Sequence, residues 1–238
     1  MTLITDHKII DDILKQIDSK ILLPGKKLPS ESELVERYRV PRMTVRSALV
    51  KLEERGIVYS IQGKGRYLKE KSKQIQLQLT GKISFTDKME QFGYDLTTKN
   101  ISFTPIHYDE KIFTVLNAKK TDIVFQIGRL RMIDNEPIAI HNSFVREANF
   151  PKLHENGNEI KSMFNYYRKH GYDNFSSRQS ILSVTFPTVE EQQLLVCKSM
   201  VPILVLETDC IDTRSKKVLE YTKILYRSDK FNYDITID

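Results

Sequence analysis

Two pairs of arginines in this sequence have a spacing that suits the binding of anionic groups. Arg42 and Arg46 are four residues apart in a stretch with helical periodicity, so both lie on one side of a helix. Arg129 and Arg131 are two residues apart in a run typical of a strand, so their side chains share one face. Guanidinium groups bind phosphates and carboxylates through paired hydrogen bonds. The second pair could instead form ordinary ion pairs at the protein surface.

The positive charge of the chain is concentrated around the first arginine pair. The whole sequence carries a net charge of +6, and residues 39–69 contain eight lysines and arginines against two glutamates, which is the same excess. A basic patch on a nearly neutral remainder is the electrostatic pattern of a protein that binds nucleic acid. Charge alone leaves open a solvated basic face without a ligand.

The composition excludes several classes of protein. Hydrophobic residues make up 40% of the chain and charged residues 29%, which supplies a core and excludes a disordered chain. No apolar run is long enough for a transmembrane helix, and residues 1–15 lack the apolar stretch of a signal peptide. Two cysteines and five dispersed histidines give neither a disulfide framework nor a zinc site. We therefore expect a cytoplasmic protein with no metal, no cofactor and no membrane partner.

The residues around the first arginine pair predict three helices followed by a hairpin. The predicted helices cover residues 7–20, 31–38 and 42–55. Asp6 can cap the first helix, and Ser30 with Glu33 forms a capping box at the start of the second. Residues 57–61 and 66–68 are predicted strands joined by a glycine-rich, basic turn. This order of elements is a winged helix-turn-helix, in which the third helix reads the major groove of DNA.

Three stretches of this region carry a more specific pattern. They are Leu28-Pro29-Ser30-Glu31, Val40-Pro41-Arg42-Met43-Thr44-Val45-Arg46 and Gln62-Gly63-Lys64-Gly65. The pattern resembles the DNA-binding domain of GntR-family bacterial repressors. The resemblance implies that DNA is bound by Ser30, Ser32, Arg42, Thr44, Arg46, Gly63, Lys64, Gly65 and Arg66. The chain departs from the family at Pro41, where a serine or threonine usually caps the helix and can contact a phosphate.

The rest of the chain predicts an α+β domain with a mostly antiparallel sheet, because its strands and helices do not alternate regularly. The predicted strands cover residues 101–108, 123–133, 137–144, 180–186, 203–211 and 218–227, and the predicted helices cover residues 85–92, 109–116, 160–170 and 189–198. Residues 70–80 are interpreted as a polar linker, although Ile75, Leu77 and Leu79 alternate as in an edge strand. The predicted domains are therefore residues 1–69 and 81–238.

Polar side chains of the second domain could form an anion pocket with Arg129 and Arg131. Residues 84–86 begin a predicted helix, where hydroxyls and free backbone N–H groups bind phosphate, although ordinary capping explains them too. Glu220 and Tyr226 lie on one face of a predicted strand. There a carboxylate and a phenol could bind sugar hydroxyls, or could pair with neighbouring strands.

The order of several motifs in this domain is also specific. The motifs are Ser84-Phe85-Thr86, Gly128-Arg129-Leu130-Arg131, Ser180-Ile181-Leu182-Ser183, and Glu220-Tyr221 with Tyr226-Arg227-Ser228-Asp229. They resemble the UTRA effector domain of the HutC subgroup of GntR regulators, which has a chorismate-lyase-like fold. The resemblance implies an effector site formed by Ser84, Phe85, Thr86, Arg129, Arg131, Ser162, Arg178, Glu220 and Tyr226. His141 completes this site and departs from the family, because many sugar-phosphate members carry a glutamate there.

Together these patterns predict a homodimeric transcriptional repressor of a carbohydrate uptake or catabolism operon. It would bind double-stranded operator DNA and be released by a small phosphorylated sugar. The alternatives are an activator or a regulator that senses a carboxylate or an amino-acid derivative, since arginines bind either kind of anion. A lyase-like enzyme is a further alternative, but the sequence contains no P-loop, G-x-S-x-G or H-E-x-x-H motif and predicts no catalytic residue.

Overall fold

The computed structural model describes residues 5–70, 74–78 and 83–234. They divide into two compact units. One unit holds the chain up to Gln74 with the segments Phe186–Gln192 and Cys197–Val201, and the other holds Ile75–Thr185, Gln193–Val196 and the chain from Pro202 onward. The mixture of helices and mostly antiparallel strands confirms the predicted α+β class.

The first unit contains the three predicted helices and the hairpin. Its elements are α1 (Asp6–Asp18), α2 (Glu31–Tyr38), α3 (Arg42–Glu54), β1 (Val58–Ile61) and β2 (Gly65–Leu68). The two strands pair antiparallel. The core is formed where apolar side chains recur at helical spacing, and on α3 these are Val45, Ala48, Leu49 and Leu52. The other side of α3 is left facing solvent.

The prediction that Asp6 caps α1 is wrong. Thr5 occupies the cap position without a side-chain hydrogen bond, and Asp6 lies in the first turn. The Asp6 carboxylate accepts hydrogen bonds from Lys51 Nζ and Ser47 Oγ, each at 2.7 Å. These bonds, that of Lys51 first, lower the pKa of Asp6 to about 2. A hydrogen bond from an ammonium group is stronger than one from a neutral backbone N–H, so Asp6 joins α1 to α3 instead.

The second unit is built on a seven-stranded sheet. Its strands are β4 (Leu96–Pro105), β5 (Val124–Ile133), β6 (Glu136–Arg146), β7 (Phe175–Ser176), β8 (Ser180–Thr185), β9 (Ile203–Asp212) and β10 (Val218–Arg227). The order across the sheet is β4-β5-β6-β10-β9, and β7 and β8 both pair with β9. All of these pairs are antiparallel.

The chain forms five further α-helices, the last of which begins in the segment Phe186–Gln192 of the first unit. They are α4 (Phe85–Gln91), α5 (Glu110–Val115), α6 (Leu153–Asn156), α7 (Met163–Lys169) and α8 (Val189–Leu195). The helix predicted at residues 160–170 begins only at Met163, because Ser162 is its cap and accepts a hydrogen bond from Asn165 N. Short 3-10 helices lie at Glu147–Asn149 and Gly157–Glu159.

Residues 75–78 form a strand and not a linker. This strand, β3 (Ile75–Gln78), pairs in parallel with β11 (Phe231–Asp234). Ile75 and Leu77 are buried in a core that also contains Phe231. The linker interpretation fails for these four residues because the partner strand comes from the far end of the chain. Leu79, the third apolar residue of the alternating pattern, lies outside the described residues.

Candidate nucleic-acid interface and ligand cavity

The exposed side of α3 presents both arginines of the first pair. The Arg42 side chain is 70% exposed, and Arg46 is exposed one turn later. Thr44 lies between them and is half-buried. Pro41 occupies the cap position of α3 without a side-chain hydrogen bond. The structure therefore places two cations near the start of a helix, where the helix dipole also favours phosphate.

Glu31 links the third helix to the hairpin through its two carboxylate oxygens. Arg42 Nε donates to Glu31 Oε2 at 3.2 Å, and Arg66 Nη1 donates to Glu31 Oε1 at 3.1 Å. The bond from Arg66, followed by that from Arg42, lowers the pKa of the Glu31 carboxyl. Sequence reasoning missed Glu31, since an acid in the first turn of a helix is usually explained by the helix dipole.

The remaining residues predicted to bind DNA lie on the hairpin turn and at the start of α2. Gly63 and Gly65 adopt φ angles of 72° and 112°, which bend the turn and leave Lys64 exposed between them. Ser30 caps α2, and its hydroxyl accepts a hydrogen bond from Glu33 N at 3.2 Å. Ser32 is exposed. Arg66 is the least accessible of the predicted cations, with a side chain 20% exposed.

The second unit contains a cavity of about 130 Å³ over one face of the sheet. Nine of the ten residues predicted for the effector site line it, and they are Ser84, Phe85, Thr86, Arg129, Arg131, His141, Ser162, Glu220 and Tyr226. They come from α4, β5, β6, β10 and the cap of α7. The sheet register explains this convergence, because β5, β6 and β10 are neighbours and each contributes residues of one face.

Arg178, which was also predicted for the effector site, does not line the cavity. Its Nε donates to Asp209 Oδ2 at 2.6 Å, and its backbone N donates to Asp209 Oδ1 at 2.8 Å. Arg178 Nη2 also donates to the Val115 carbonyl oxygen at 3.0 Å. The guanidinium is thus paired with a carboxylate. Asp209 itself lines the cavity, so Arg178 fixes the orientation of a lining residue.

The arginines of the second pair are buried, each with 2% of its surface exposed. Arg129 Nη2 donates to Ser143 Oγ. Arg131 Nη1 donates to Thr98 Oγ1 at 2.6 Å and to the Lys161 carbonyl oxygen at 3.0 Å. Among the residues that the structure describes, the Nε of each arginine has no hydrogen-bond partner. Each guanidinium group therefore has an unused N–H donor, and the oxygens that accept its other hydrogen bonds are uncharged.

These two buried cations are in an unfavourable electrostatic position. Burial lowers the pKa of Arg129, and burial together with the charge of Arg129 lowers the pKa of Arg131 well below its ordinary value. A guanidinium nevertheless stays charged in proteins. Glu220 is the carboxylate that acts on Arg129, and it accepts a hydrogen bond from Tyr167 Oη at 2.8 Å. A bound anion would relieve the remaining positive charge.

Aromatic rings enclose the cavity next to Arg131. The ring of Phe85 lies 4.7 Å from that of His141 and 5.9 Å from that of Tyr226, centroid to centroid. The Arg131 Cζ atom lies 5.8 Å from the Phe85 ring centroid. Burial, followed by the charges of Arg131 and Arg129, lowers the pKa of His141 well below its ordinary value. The imidazole is therefore neutral at pH 7. Its Nε2 atom has no hydrogen-bond partner within the described parts of the chain.

The cavity also contains polar side chains that sequence reasoning missed. Lys88, Thr208, Asp209 and Thr222 line it. Burial lowers the pKa of Lys88, which lies one helical turn after Ser84. Thr222 lies between Glu220 and Tyr226 on the same face of β10. The alternation that identified those two residues could have identified Thr222 as well.

Over residues 5–70, 74–78 and 83–234, no helix is both long and apolar enough to cross a membrane. In that same part of the chain, no group of three or more histidine, cysteine or acidic side chains could hold a metal ion.

Comparison with known proteins assigns both units to families. The model described as "Bacterial regulatory proteins, gntR family" matches residues 5–68, and the UTRA domain model matches residues 91–232. The HTH-type transcriptional repressor NagR of Bacillus subtilis (strain 168) is 26% identical over 95% of this chain and 92% of its own. The mannosyl-D-glycerate transport/metabolism system repressor MngR of Escherichia coli (strain K12) is 32% identical over 96% of this chain and 94% of its own.

A solved structure supports the same fold. PhnF from Mycobacterium smegmatis has a TM-score of 0.62 at 21% identity, covering 96% of this chain and 98% of that one. The order of the elements, the two matched models and the similarity to MngR over nearly the whole length agree with one another. The chain belongs to the gntR family of bacterial regulatory proteins, in the HutC subgroup that joins a winged helix-turn-helix to a UTRA domain.

Proposed function

We propose that this protein is a transcriptional repressor of a carbohydrate operon, and that a phosphorylated sugar in the cavity releases it from operator DNA. The buried arginine pair with unused Nε donors is the observation that carries this proposal. Relatives support the carbohydrate connection, because MngR is named as a repressor of mannosyl-D-glycerate transport and metabolism. Another relative is named as a probable repressor of a fructoselysine utilization operon.

In this proposal residues 1–69 are the DNA-binding domain and α3 enters the major groove. Arg42, Thr44 and Arg46 face the bases and phosphates there, and Ser30 and Ser32 lie near the backbone. The turn formed by Gly63, Lys64 and Gly65 and the neighbouring Arg66 follow the sugar-phosphate backbone. A homodimer would place two such domains on the half-sites of a near-palindromic operator.

Residues 81–238 would bind the effector and hold the dimer together. Its phosphate would lie against Arg129 and Arg131, within reach of the hydroxyls of Ser84, Thr86 and Ser162, which line the same cavity. The sugar would occupy the other side of the cavity and contact Phe85, His141, Glu220 and Tyr226. Lys88 adds a further cation to the lining. We assign no catalytic role to any of these residues.

A carboxylate effector is the second candidate, because guanidinium groups also bind carboxylates. The number of donors favours a phosphate. Two guanidinium groups, a lysine and three hydroxyls converge on the cavity. A phosphate presents three terminal oxygens and up to two charges, whereas a carboxylate presents two oxygens and one charge. A phosphate would therefore satisfy more of the buried donors.

A ligand screen followed by a DNA-binding assay tests this function. The melting temperature of the protein should rise with a sugar phosphate, by an amount that follows RT ln(1 + [L]/Kd), and rise less with the parent sugar or with carboxylic acids. The stabilising compound should then weaken binding to the protein's own promoter fragment in a gel shift. Stabilisation by carboxylic acids alone would establish the second candidate. Equal binding to promoter and random duplex would contradict the repressor function.

A further inference from the structure

A row of hydroxyl-bearing side chains crosses the sheet beside the arginine pair. Ser143 on β6 is opposite Thr222 on β10, Thr222 is opposite Thr208 on β9, and Thr208 is opposite Ser180 on β8. Side chains directly opposite each other on neighbouring strands share one face of a sheet. The four residues, here called the hydroxyl row, therefore form a line about 14 Å long at the usual spacing of strands.

One end of the hydroxyl row touches the anion site and the other end lies at the edge strand. Ser143 Oγ accepts a hydrogen bond from Arg129 Nη2. At the far end, Thr208 Oγ1 and Ser180 Oγ are 2.8 Å apart and satisfy each other. Thr222, Thr208 and Ser180 all line the cavity that holds the arginines. Three hydroxyls of the row therefore lie side by side along the cavity, and Ser143 extends the row to Arg129 without lining the cavity itself.

Thr222, in the middle of the hydroxyl row, has an unpartnered hydroxyl within the described residues. Thr222 is 5% exposed, and within the described residues its Oγ1 atom is buried without a hydrogen bond. His141 lies two residues before Ser143 on the same face of β6, and its buried Nε2 is also unpartnered there. Unpaired buried polar atoms destabilise a protein, and those of native structures are normally satisfied by a ligand or water.

We propose that the hydroxyl row binds the hydroxylated part of the effector, and that Thr222 selects a sugar hydroxyl next to the phosphate end. This proposal rests on the proposed anion site at Arg129 and Arg131. A sugar hydroxyl can donate to and accept from Thr222 Oγ1 and His141 Nε2, whereas an alkyl group there would leave both atoms buried and unpaired. The row therefore selects polyhydroxylated phosphates over inorganic phosphate and over phosphates with apolar chains.

The substitution Thr222→Val tests this assignment, because it removes the hydroxyl and keeps the shape of the side chain. The probes are inorganic phosphate, glucose 6-phosphate, N-acetylglucosamine 6-phosphate and trehalose 6-phosphate, measured by calorimetry on the full chain. We expect the best sugar phosphate to bind about 5- to 10-fold more weakly, as for a lost neutral hydrogen bond. Binding of inorganic phosphate should change less than two-fold, and the ligand-free protein should not melt at a lower temperature.

Two further variants make the result specific. Thr222→Ser keeps the hydroxyl and should retain the affinity of the wild type for the sugar phosphate. Thr104→Val removes a hydroxyl from an exposed residue of β4 that does not line the cavity, and it should change neither affinity. These controls also show whether a valine in a strand disturbs folding by itself.

The outcomes separate this proposal from the function on which it rests. If no phosphate-containing probe binds the wild type, the anion site fails and the hydroxyl row fails with it. If inorganic phosphate binds the wild type as tightly as every sugar phosphate does, the anion site stands and the hydroxyl row is wrong. Equal weakening of phosphate and sugar phosphate by Thr222→Val would likewise overturn the selection of a hydroxyl by Thr222.

Discussion

The two units use the same kind of residue pair in opposite surroundings. Arg42 on α3 is 70% exposed, whereas Arg129 and Arg131 on β5 are each 2% exposed. An exposed guanidinium is hydrated and available to a polyanion as large as duplex DNA. A buried guanidinium has lost its water and can be reached only by a ligand small enough to enter a cavity. Burial, and not residue type, therefore distinguishes the proposed nucleic-acid surface from the proposed effector site.

The two arginine pairs also differ in the charge of their hydrogen-bond partners. Arg42 is held by a carboxylate, Glu31 Oε2, which can be exchanged for a DNA phosphate at little cost near the surface. Arg129 is held by the neutral hydroxyl of Ser143 and has an unused Nε. Glu220 is a single carboxylate acting on both buried guanidinium groups, so the pair keeps an excess positive charge that a bound anion would balance.

The largest effect is expected when the buried cation is removed. Arg129→Met keeps the length of the side chain and removes its charge. Removing this charge relieves the repulsion of Arg131 but leaves the buried Glu220 carboxylate with less positive charge around it, so the two effects on the free energy of unfolding oppose each other. Stabilisation by the sugar phosphate should disappear, and DNA binding should no longer respond to it. A variant that still responds to the effector would contradict the cavity assignment.

The exposed pair should show the opposite behaviour. Arg46→Ala is expected to weaken operator binding about 5- to 150-fold, the range for a base contact made by arginine. Its unfolding free energy should change by no more than about 0.5 kcal/mol, because the residue is on the surface. Arg214→Ala, which removes an exposed arginine of the second unit, is the control for net charge. If both variants lose operator affinity equally, Arg46 contributes only charge.

A change at the cap of α3 should act first on the stability of the DNA-binding unit. Pro41 provides no capping hydrogen bond, so Pro41→Ser is expected to raise the unfolding free energy by about 0.5–2 kcal/mol. Operator affinity should rise as well if the new hydroxyl reaches a phosphate. Chemical denaturation and a gel shift measure the two effects. An unchanged midpoint and an unchanged affinity would show that the position is neutral.

The smallest effect is expected at the link between α3 and the hairpin. Glu31→Gln removes the charge that holds Arg42 and Arg66 in place, and it should raise affinity for random duplex. The ratio of operator to random binding should then fall about two- to five-fold, as for an ion pair near the surface. Glu36→Gln, at an exposed acid of the same helix, is the matched control. A ratio that falls equally in both variants would assign the effect to net charge.

The sequence was most informative where structure depends on near neighbours. The apolar spacing of Val45, Ala48, Leu49 and Leu52 predicted the buried face of α3, and alternation placed Arg129 and Arg131 on one face of a strand. Both patterns follow from the geometry of a single element. The family resemblance extended this to ten residues from six segments of the chain, and nine of these residues line one cavity.

The sequence was least informative where a partner lies far along the chain. The strand at Ile75–Gln78 depends on residues 231–234, and the carboxylate that binds Arg178 is 31 residues away. Asp6 was predicted to cap its own helix, because the ammonium of Lys51 is not visible in local sequence. Thr222 needed the register between three strands to show that its hydroxyl continues a row.

The coupling between the two arginine pairs can be measured directly by titrating the best sugar phosphate into the protein with and without saturating operator duplex. Linkage requires that DNA lower the affinity of the protein for the sugar phosphate by the same factor by which the sugar phosphate lowers its affinity for DNA. This factor is typically about 5- to 150-fold. For the wild type we predict the same factor in both directions. For Arg129→Met we predict that the sugar phosphate does not change the affinity for DNA. A sugar phosphate that binds equally well to the free and to the DNA-bound protein would contradict the account.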